Sequence, residues 1–310
     1  MKIAIHEHDG GFGEYWIKYC LDNNIEYKIV DCYNTNIIDD LKDCDVLMWH
    51  HNHANPKDLL FAKELLCSLE ISGKAVYPDI KTTWHFNDKL GQKYLLEAMN
   101  LPLVPTYVFF SRKEALRWIS EAVFPLVFKL RSGAGSRNVR LIKSKGHARR
   151  VIRKAFSRGF RPYNTIGGIK ENIRQYRLSK TSFIEVVKSF LHIIYPVQLE
   201  KSQGREKGYV YFQKFIPDCN HDIRVQLVGD KMWAMIRPVR KNDFRASGSG
   251  KIITGPEKIP QEVLKLSLEV AKKLELQSVA IDFLPADHKY YITEISYAFG
   301  IGPEDMEVGY

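Results

Sequence analysis

Two carboxylates stand in apolar surroundings near the end of the chain. Ala280-Ile281-Asp282-Phe283 places an acid inside an apolar run, and Tyr291-Ile292-Thr293-Glu294-Ile295-Ser296 places a second in the run that follows. Burying a carboxylate is costly unless it is paired or bound to a cation. Two of them on neighbouring strands can share Mg²⁺, a hard cation that takes oxygen ligands and bridges phosphates. Taken alone, the same pair also reads as edge-strand acids facing water. Cations recur upstream. Lys89 opens a helical pattern as Asn87-Asp88-Lys89, and Lys129 closes an apolar run just before Arg131-Ser132-Gly133-Ala134-Gly135-Ser136-Arg137. Each lysine alone also fits a surface side chain that lays its stem on apolar neighbours. His221-Asp222-Ile223-Arg224 precedes Arg237, and Asn242 to Gly250 form a polar loop that carries Arg245. Arginines beside a flexible polar loop suit planar recognition of phosphate or carboxylate.

These residues need strands and helices to bring them together. Residues 1–80 alternate short apolar runs with amphipathic stretches. Strands are expected at Lys2–Ile5, Glu26–Val30, Asp45–Trp49 and Ala75–Tyr77, with helices at Glu14–Leu21 and Pro56–Leu69. That alternation predicts an open, mostly parallel α/β sheet, in which ligands sit beyond the carboxyl ends of the strands. Two polar clusters fall at such ends, His6 to Gly13 and His50-His51-Asn52-His53. The glycines suggest a loop that approaches a ligand closely, and the histidines suggest a polar binding rim. His–His–x–His has no specific zinc spacing.

Further on, a helix is expected at Asn87–Met99 and a strand at Thr106–Phe110, followed by a helix that Ser111 and Glu114 begin as a capping box. Phe124–Leu130 and Asn138–Ile142 read as two strands of a hairpin whose Gly/Ser/Arg loop can turn backbone N–H groups toward an anion. Tyr209–Phe215 is a strand, and Gly229-Asp230 joins two more. Pro260–Leu274 is an amphipathic helix, and Ser278–Leu284 and Tyr290–Ile295 are the strands that hold the two acids.

Composition sets the limits. With 310 residues, 45% of them hydrophobic and 26% charged, the chain suits a globular protein of about two domains. It holds no uncharged apolar stretch of membrane-spanning length. Its charged start does not suit a signal peptide, so a cytoplasmic protein is expected. The five scattered cysteines read as small buried hydrophobes. The net charge is +10, and residues 141–180 hold twelve Lys or Arg against the single acid Glu171. Such a run attracts anions, or serves as a solvated helical face. It lacks the interleaved aromatics of a single-strand nucleic-acid platform, so no nucleic-acid partner is expected.

Taken in order, these features resemble the ATP-grasp family of carboxylate–amine ligases over roughly residues 80–300. The HDxR…R…NxFRxSGSG stretch is similar to that of the ribosomal-protein glutamate ligase, its relatives, and ligases of polysaccharide clusters. The resemblance implies an α/β (α+β) ATP-grasp fold with an N-terminal open α/β domain (1–100), a small lid subdomain with a basic helical insertion (101–208), and a C-terminal antiparallel-sheet subdomain with the metal site (209–310). It implies ATP and Mg²⁺, with Mn²⁺ as an alternative metal. Residue by residue, Lys89 and Lys129 resemble the lysines that reach the nucleotide phosphates. Gly133, Ala134, Gly135, Ser136 and Arg137 look like the loop over the β- and γ-phosphates. Gln213, Lys214, Phe215 and Ile216 look like the hinge strand that reads adenine, although that hinge often carries a carboxylate where this chain has Gln213. Asp222 and Arg224 match the polar pair after the hinge. Arg237 and Arg245 resemble the arginines that hold the transferred phosphate and the acyl phosphate. Asp282 and Glu294 match the metal carboxylates. The family's Glu-x-Asn is here Glu294-Ile295-Ser296, so serine offers its oxygen on a shorter arm.

The implied reaction phosphorylates a carboxylate and lets an amine attack the acyl phosphate. His221 is a candidate general base and equally a structural residue. The basic insertion, about Ala148–Lys207, could hold an acidic polymer. The implied partners are a small-molecule or glycan carboxylate, on a sugar acid or a cell-surface polysaccharide precursor, and an amine. Amino-acid ligation to a peptide or protein terminus and a catalytically weak ATP-binding module are the alternatives. A homo-oligomer is left open.

Overall fold

The computed structural model describes residues 1–8, 11–133, 138–161, 204–240, 243–246 and 251–300, with isolated positions at 173, 176, 182, 184 and 187. Among them lie three four-stranded sheets.

The first is wholly parallel. Strands β1 (Lys2–His6), β2 (Glu26–Ile29), β3 (Val46–Trp49) and β4 (Ala75–Tyr77) run in the order β2-β1-β3-β4. Parallel strands need crossovers, usually helical. Here α1 (Gly13–Asp22) joins β1 to β2, α2 (Ile37–Asp40) lies between β2 and β3, and α3 (Pro56–Ile71) joins β3 to β4. Asn55 caps α3 by accepting from Lys57 N, with proline at the first turn. The core on one face centres on Leu47, Trp49, Ala62 and Leu66, all fully buried.

After α4 (Ile80–Thr83) comes α5 (Lys89–Ala98). Asp88 caps α5 by accepting from Leu90 N and Gly91 N, which fixes Lys89 as its first residue. The second sheet, in the order β5-β8-β6-β7, combines β5 (Thr106–Phe109), β6 (Leu126–Lys129), β7 (Arg140–Ile142) and β8 (Val210–Lys214), all antiparallel. Helices α6 (Arg112–Trp118) and α7 (Lys145–Ala155) pack on it through Ala115, Ile119, Ala148 and Ile152. Ser111 caps α6, as its spacing from Glu114 predicts.

The third sheet, in the order β10-β9-β11-β12, is antiparallel: β9 (His221–Val228), β10 (Lys231–Pro238), β11 (Ser278–Ala286) and β12 (Lys289–Ser296). Helix α8 (Gln261–Lys273) covers it, with Val263 and Val270 fully buried against Val225 and Ile281.

Two expected boundaries shift. Strand β8 falls beyond residue 208, yet it lies inside the second sheet between β5 and β6, because Val210 and Phe212 are needed in that core. Helix α5 falls before residue 100, yet it packs on the third sheet. Leu96 is buried in that sheet's core, and Gln92 exchanges hydrogen bonds with Ile295 backbone atoms. No helix among the described residues is long and apolar enough to cross a membrane.

Candidate active site

The third sheet sets five charges in register. Across β9, β11 and β12, Arg224 faces Asp282 and Asp282 faces Glu294; across β10 and β9, Arg237 faces Asp222. Side chains alternate along a strand, so Asp222 and Arg224 share one face. Their contacts run as a chain. Arg237 Nε and Nη2 donate to Asp222 at 2.7 Å each, Arg237 Nη2 lies 3.0 Å from Asp282, and Arg224 donates to both Asp282 oxygens at 2.7 and 2.8 Å. These are the short, forked geometries of charge-assisted pairs. Burial alone would raise the Asp282 carboxyl, but Arg224 and Arg237 outweigh it and hold it well below the usual carboxylate range.

Glu294 is the freer acid, with a third of its side chain exposed, and it accepts Lys89 Nζ at 3.2 Å. Lys89 is almost fully buried and also donates to Gly133 O at 2.7 Å. A cation at a helix N-terminus opposes the helix dipole, so its place there is not explained by helix stability. Gln92, one turn on, ties that helix face to β12 beside Glu294. Lys129 ends β6, a strand buried at every position, and its Nζ reaches Thr293 O at 3.5 Å. Burial pushes its ammonium down to about 8, with Glu294 and Asp282 opposing the fall and Lys89 adding to it.

Lys89, Lys129, Asp222, Arg224, Asp282 and Glu294 line one cavity of about 460 Å³. Gln213 to Ile216, Gly133, Arg245 and Ser296 line it too. Of the described candidate residues, Arg237 and His221 do not line the cavity; Arg237 is joined to it through Asp222 and Asp282. Ala134, Gly135, Ser136 and Arg137 lie outside the described residues.

Several details differ from the sequence reading. The Gln213 amide turns inward and donates to Thr106 Oγ1 at 3.1 Å. The Arg245 guanidinium pairs with Asp243 at 2.6–3.1 Å. His221 does not line the cavity and pairs with Asn220 at 2.6 Å, so the site gains no base there. Ser296 Oγ donates to Ala298 O at 2.7 Å and keeps its lone pairs. Phe244, Thr293 and Phe86 join the wall although no motif marked them as site residues. Phe244 meets Phe215 edge-on, a long-range contact that spacing cannot reveal.

The N-terminal clusters change character most. His50 and His51 are buried, and among the described residues no atom partners either His50 ring nitrogen or His51 Nδ1. The His50 ring stacks on Phe12 at 3.9 Å, and His51 Nε2 bonds Thr83 Oγ1 at 2.6 Å. All four residues from His50 to His53 line the cavity, with Asn52 and His53 partly open and His50 and His51 buried. The glycines serve the chain itself: a Cβ on Gly11 would sit 2.8 Å from the His8 ring, and one on Gly13 would sit 3.2 Å from Glu7 Cα.

Residues 197–309 match the model of the RimK-like ATP-grasp domain. The chain is 23% identical over 229 residues to the α-aminoadipate–LysW ligase LysX of Saccharolobus solfataricus, covering 74% of this chain and 67% of that one. Its fold is similar to that of a RimK-domain ATP-grasp protein from Sphaerobacter thermophilus, with a TM-score of 0.57 at 14% identity over 95% of this chain and 90% of the other. It is also similar to D-alanine–D-alanine ligase from Bacillus anthracis, solved with ATP, at 0.57 and 15% over 99% and 91%. Residues 197–309 thus carry a RimK-like ATP-grasp domain, and the chain has the fold of ATP-grasp ligases. ATP and Mg²⁺ go with that fold, and the residues of the cavity fit them. Two buried lysines with few protein acceptors suit phosphate oxygens, and two adjacent carboxylates with a serine oxygen suit a hard cation. Among the described residues no group of three or more His, Cys, Asp or Glu gathers as a metal cluster, so such a cation would share its shell with phosphates or water.

Proposed function

We propose that this ATP-dependent carboxylate–amine ligase works through an acyl phosphate. The observation that carries the reading is the convergence of Lys89, Lys129 and Arg224 with Asp282 and Glu294 on one cavity. A carboxylate oxygen attacks the γ-phosphorus of ATP, the bond to the β-phosphate oxygen breaks, and ADP leaves. The amine nitrogen then bonds the acyl carbon, inorganic phosphate leaves and the nitrogen loses a proton. Mg²⁺ would be held by Asp282, Glu294 and the Ser296 oxygen, and would neutralise phosphate charge. Lys89 and Lys129 hold the phosphate oxygens from the opposite wall. Arg224 and Arg237, already aimed at Asp282, hold the transferred group, and Arg245 adds a cation at the cavity edge. Fixed charges aimed at developing charge are the main contribution a protein makes to phosphoryl transfer. Phe215, Ile216 and Phe244 suit the adenine face, with Lys214 at the hinge.

For the acceptor, we favour a carboxylate on a sugar acid or polysaccharide precursor. Its support is the basic run: Arg149, Arg150, Arg153 and Arg158 are exposed, and no acid occurs between 139 and 161. Such a face suits a polyanionic chain. Amino-acid ligation to a peptide terminus is the second reading. LysX and D-alanine–D-alanine ligase both take amino-acid substrates by name. A cytoplasmic location agrees with both.

The test is ADP release with Mg-ATP against separate pools of sugar acids, amino acids and short peptides. Release that depends on the sugar-acid pool supports the first reading, and release on peptides alone replaces it with the second. Bound nucleotide with no release from any pool would leave an ATP-binding module, with Ser296 as the first residue to restore to Asn.

A further inference from the structure

Glu206 lies outside every motif marked in the sequence, yet it grips the backbone beside the phosphate lysine. Its Oε2 accepts from Arg131 N at 3.0 Å, and its Oε1 accepts from Ser132 N at 3.2 Å and from the Ser132 hydroxyl. Tyr209 OH donates to Oε2 and accepts from Arg131 N at 2.6 Å. On the other side, Arg131 O accepts from Lys89 N at 2.9 Å, Gly133 N donates to Asn87 Oδ1 at 2.8 Å, and Gly133 O accepts from Lys89 Nζ at 2.7 Å. Residues 131–133 are thus held between two walls, Glu206 and Tyr209 on one and Asn87 and Lys89 on the other. Gly133 has φ of +106°, a conformation that side-chain-bearing residues rarely adopt. The direction of its carbonyl therefore depends on how the segment is gripped.

Glu206 is itself fixed. Its backbone exchanges hydrogen bonds with Phe160 at 2.8 and 2.9 Å. Gly159, at φ +67°, lets the two segments close, because a Cβ there would lie 2.5 Å from Glu206 O. Gly159 N returns to Lys154 O on the last turn of α7, and Arg205 holds the carbonyls of Arg158 and Gly159. A continuous path runs from α7 through Glu206 and residues 131–133 to Lys89. A carboxylate that accepts several N–H and O–H groups makes strong charge-assisted bonds. An amide in its place would turn a donor toward donors.

We propose that Glu206, seconded by Tyr209, is a positioning residue that acts through the Ser132–Gly133 backbone to hold the Lys89 ammonium where the nucleotide phosphates bind. The proposal rests on the nucleotide-site reading above and adds to it a residue that touches neither nucleotide nor metal. Small misplacements of a positioned group can cost about 100-fold.

The experiment compares wild type, Glu206→Gln, Tyr209→Phe, Lys89→Ala and the Glu206→Gln/Lys89→Ala double variant in the full chain. Three quantities are read: the Kd for MgADP, the KM for ATP against kcat, and Tm. Glu206→Gln is expected to raise Kd and the KM for ATP about tenfold or more, a change of about 1.4 kcal/mol, and Tyr209→Phe is expected to raise them less. In the Lys89→Ala background, Glu206→Gln is expected to add little, because both act on one contact. A folded Glu206→Gln protein with unchanged nucleotide affinity and a lowered Tm would overturn the proposal. Full additivity with Lys89→Ala would also overturn it, because Glu206 would then act by another route. A wild-type chain that binds no nucleotide would instead overturn the parent reading, and this one with it.

Discussion

The molecule has two polar clusters at strand positions where a site could form, and they are built on opposite terms. In the third sheet, Asp222, Arg237, Asp282, Arg224, Glu294 and Lys89 each have an opposite charge within 3.2 Å. At the ends of β1 and β3, His50 borders the same cavity but is packed among aromatic rings, and among the described residues neither ring nitrogen has a partner. Burial pushes its imidazole down to about 4, helped by the neighbouring His8, so it is neutral in ordinary buffer. The contrast follows from cost. A buried charge must be paired, whereas a neutral ring can be packed as an aromatic with a modest penalty for idle nitrogens. Paired charges mark the polar wall of the cavity, and ring-packed histidines mark its aromatic shoulder.

The sharpest way to break that comparison is to neutralise the acids. Asp282→Asn and Glu294→Gln are each expected to lower substrate-dependent ADP release by about 100-fold or more, the scale of removing one preorganised electrostatic partner. Asp282→Asn is expected to cost more stability as well, because it leaves Arg224 and Arg237 with a neutral partner while Asp222 still holds Arg237. Glu294 is more exposed and, among the described residues, its ion pair is with Lys89, so its variant is expected to keep nearly the wild-type Tm. Steady-state ADP release and thermal melts of both variants check this. Activity within a few-fold of wild type in either would show that the charge row is structural.

A second test uses the same wall in a titration. Lys129 loses its proton near pH 8 in the folded chain, against an ordinary value of 10.5. Above about pH 8 the ammonium proposed to hold the phosphates disappears, and nucleotide affinity from this group is expected to fall, approaching tenfold per unit. Stability moves the other way. Between about 8 and 10.5 the unfolded chain binds more protons at this residue than the folded one, so its contribution to folding rises with pH. Calorimetric affinities from pH 7 to 9.5, alongside melts, separate the two. Lys129→Met is expected to bind weakly at every pH and to lose the slope. A slope that survives in Lys129→Met would assign the titration to another group.

The elements were largely legible because their periods are strong. The alternation over residues 1–80 does build a parallel sheet, and the apolar runs around Asp282 and Glu294 do pair as β11 and β12 with the acids in register. What stayed hidden depends on contacts distant in sequence. Nothing near Glu206 shows that it meets Ser132, 74 residues away, and nothing near Gly159 shows that it must pass Glu206. Strand β8 reads as the start of the last region because it follows the basic run, but the second core claims its apolar residues. The histidines do reach the cavity, as a polar rim would, but His50 and His51 do so as buried, ring-packed side chains. A polar residue at a strand end has the same spelling whether it faces a ligand or a phenylalanine, and Phe12 and Tyr297 come from opposite ends of the chain.

That last point yields the smallest expected effect and the most exact probe of the contrast. His50→Phe keeps a flat ring against Phe12, whose plane lies within 1° of parallel to it. It also removes two buried nitrogens that have no partner among the described residues, a change worth about 1 kcal/mol toward stability where the larger ring fits. The His8 Nε2 contact is to the His50 carbonyl, which the substitution preserves. Activity is therefore expected within about twofold of wild type, with Tm unchanged or raised by a few degrees. A tenfold loss of activity at an unchanged Tm would mean that an imidazole nitrogen opens to the substrate during turnover. The N-terminal cluster would then belong to the polar wall, and ring-packed histidines could no longer be read as its aromatic shoulder.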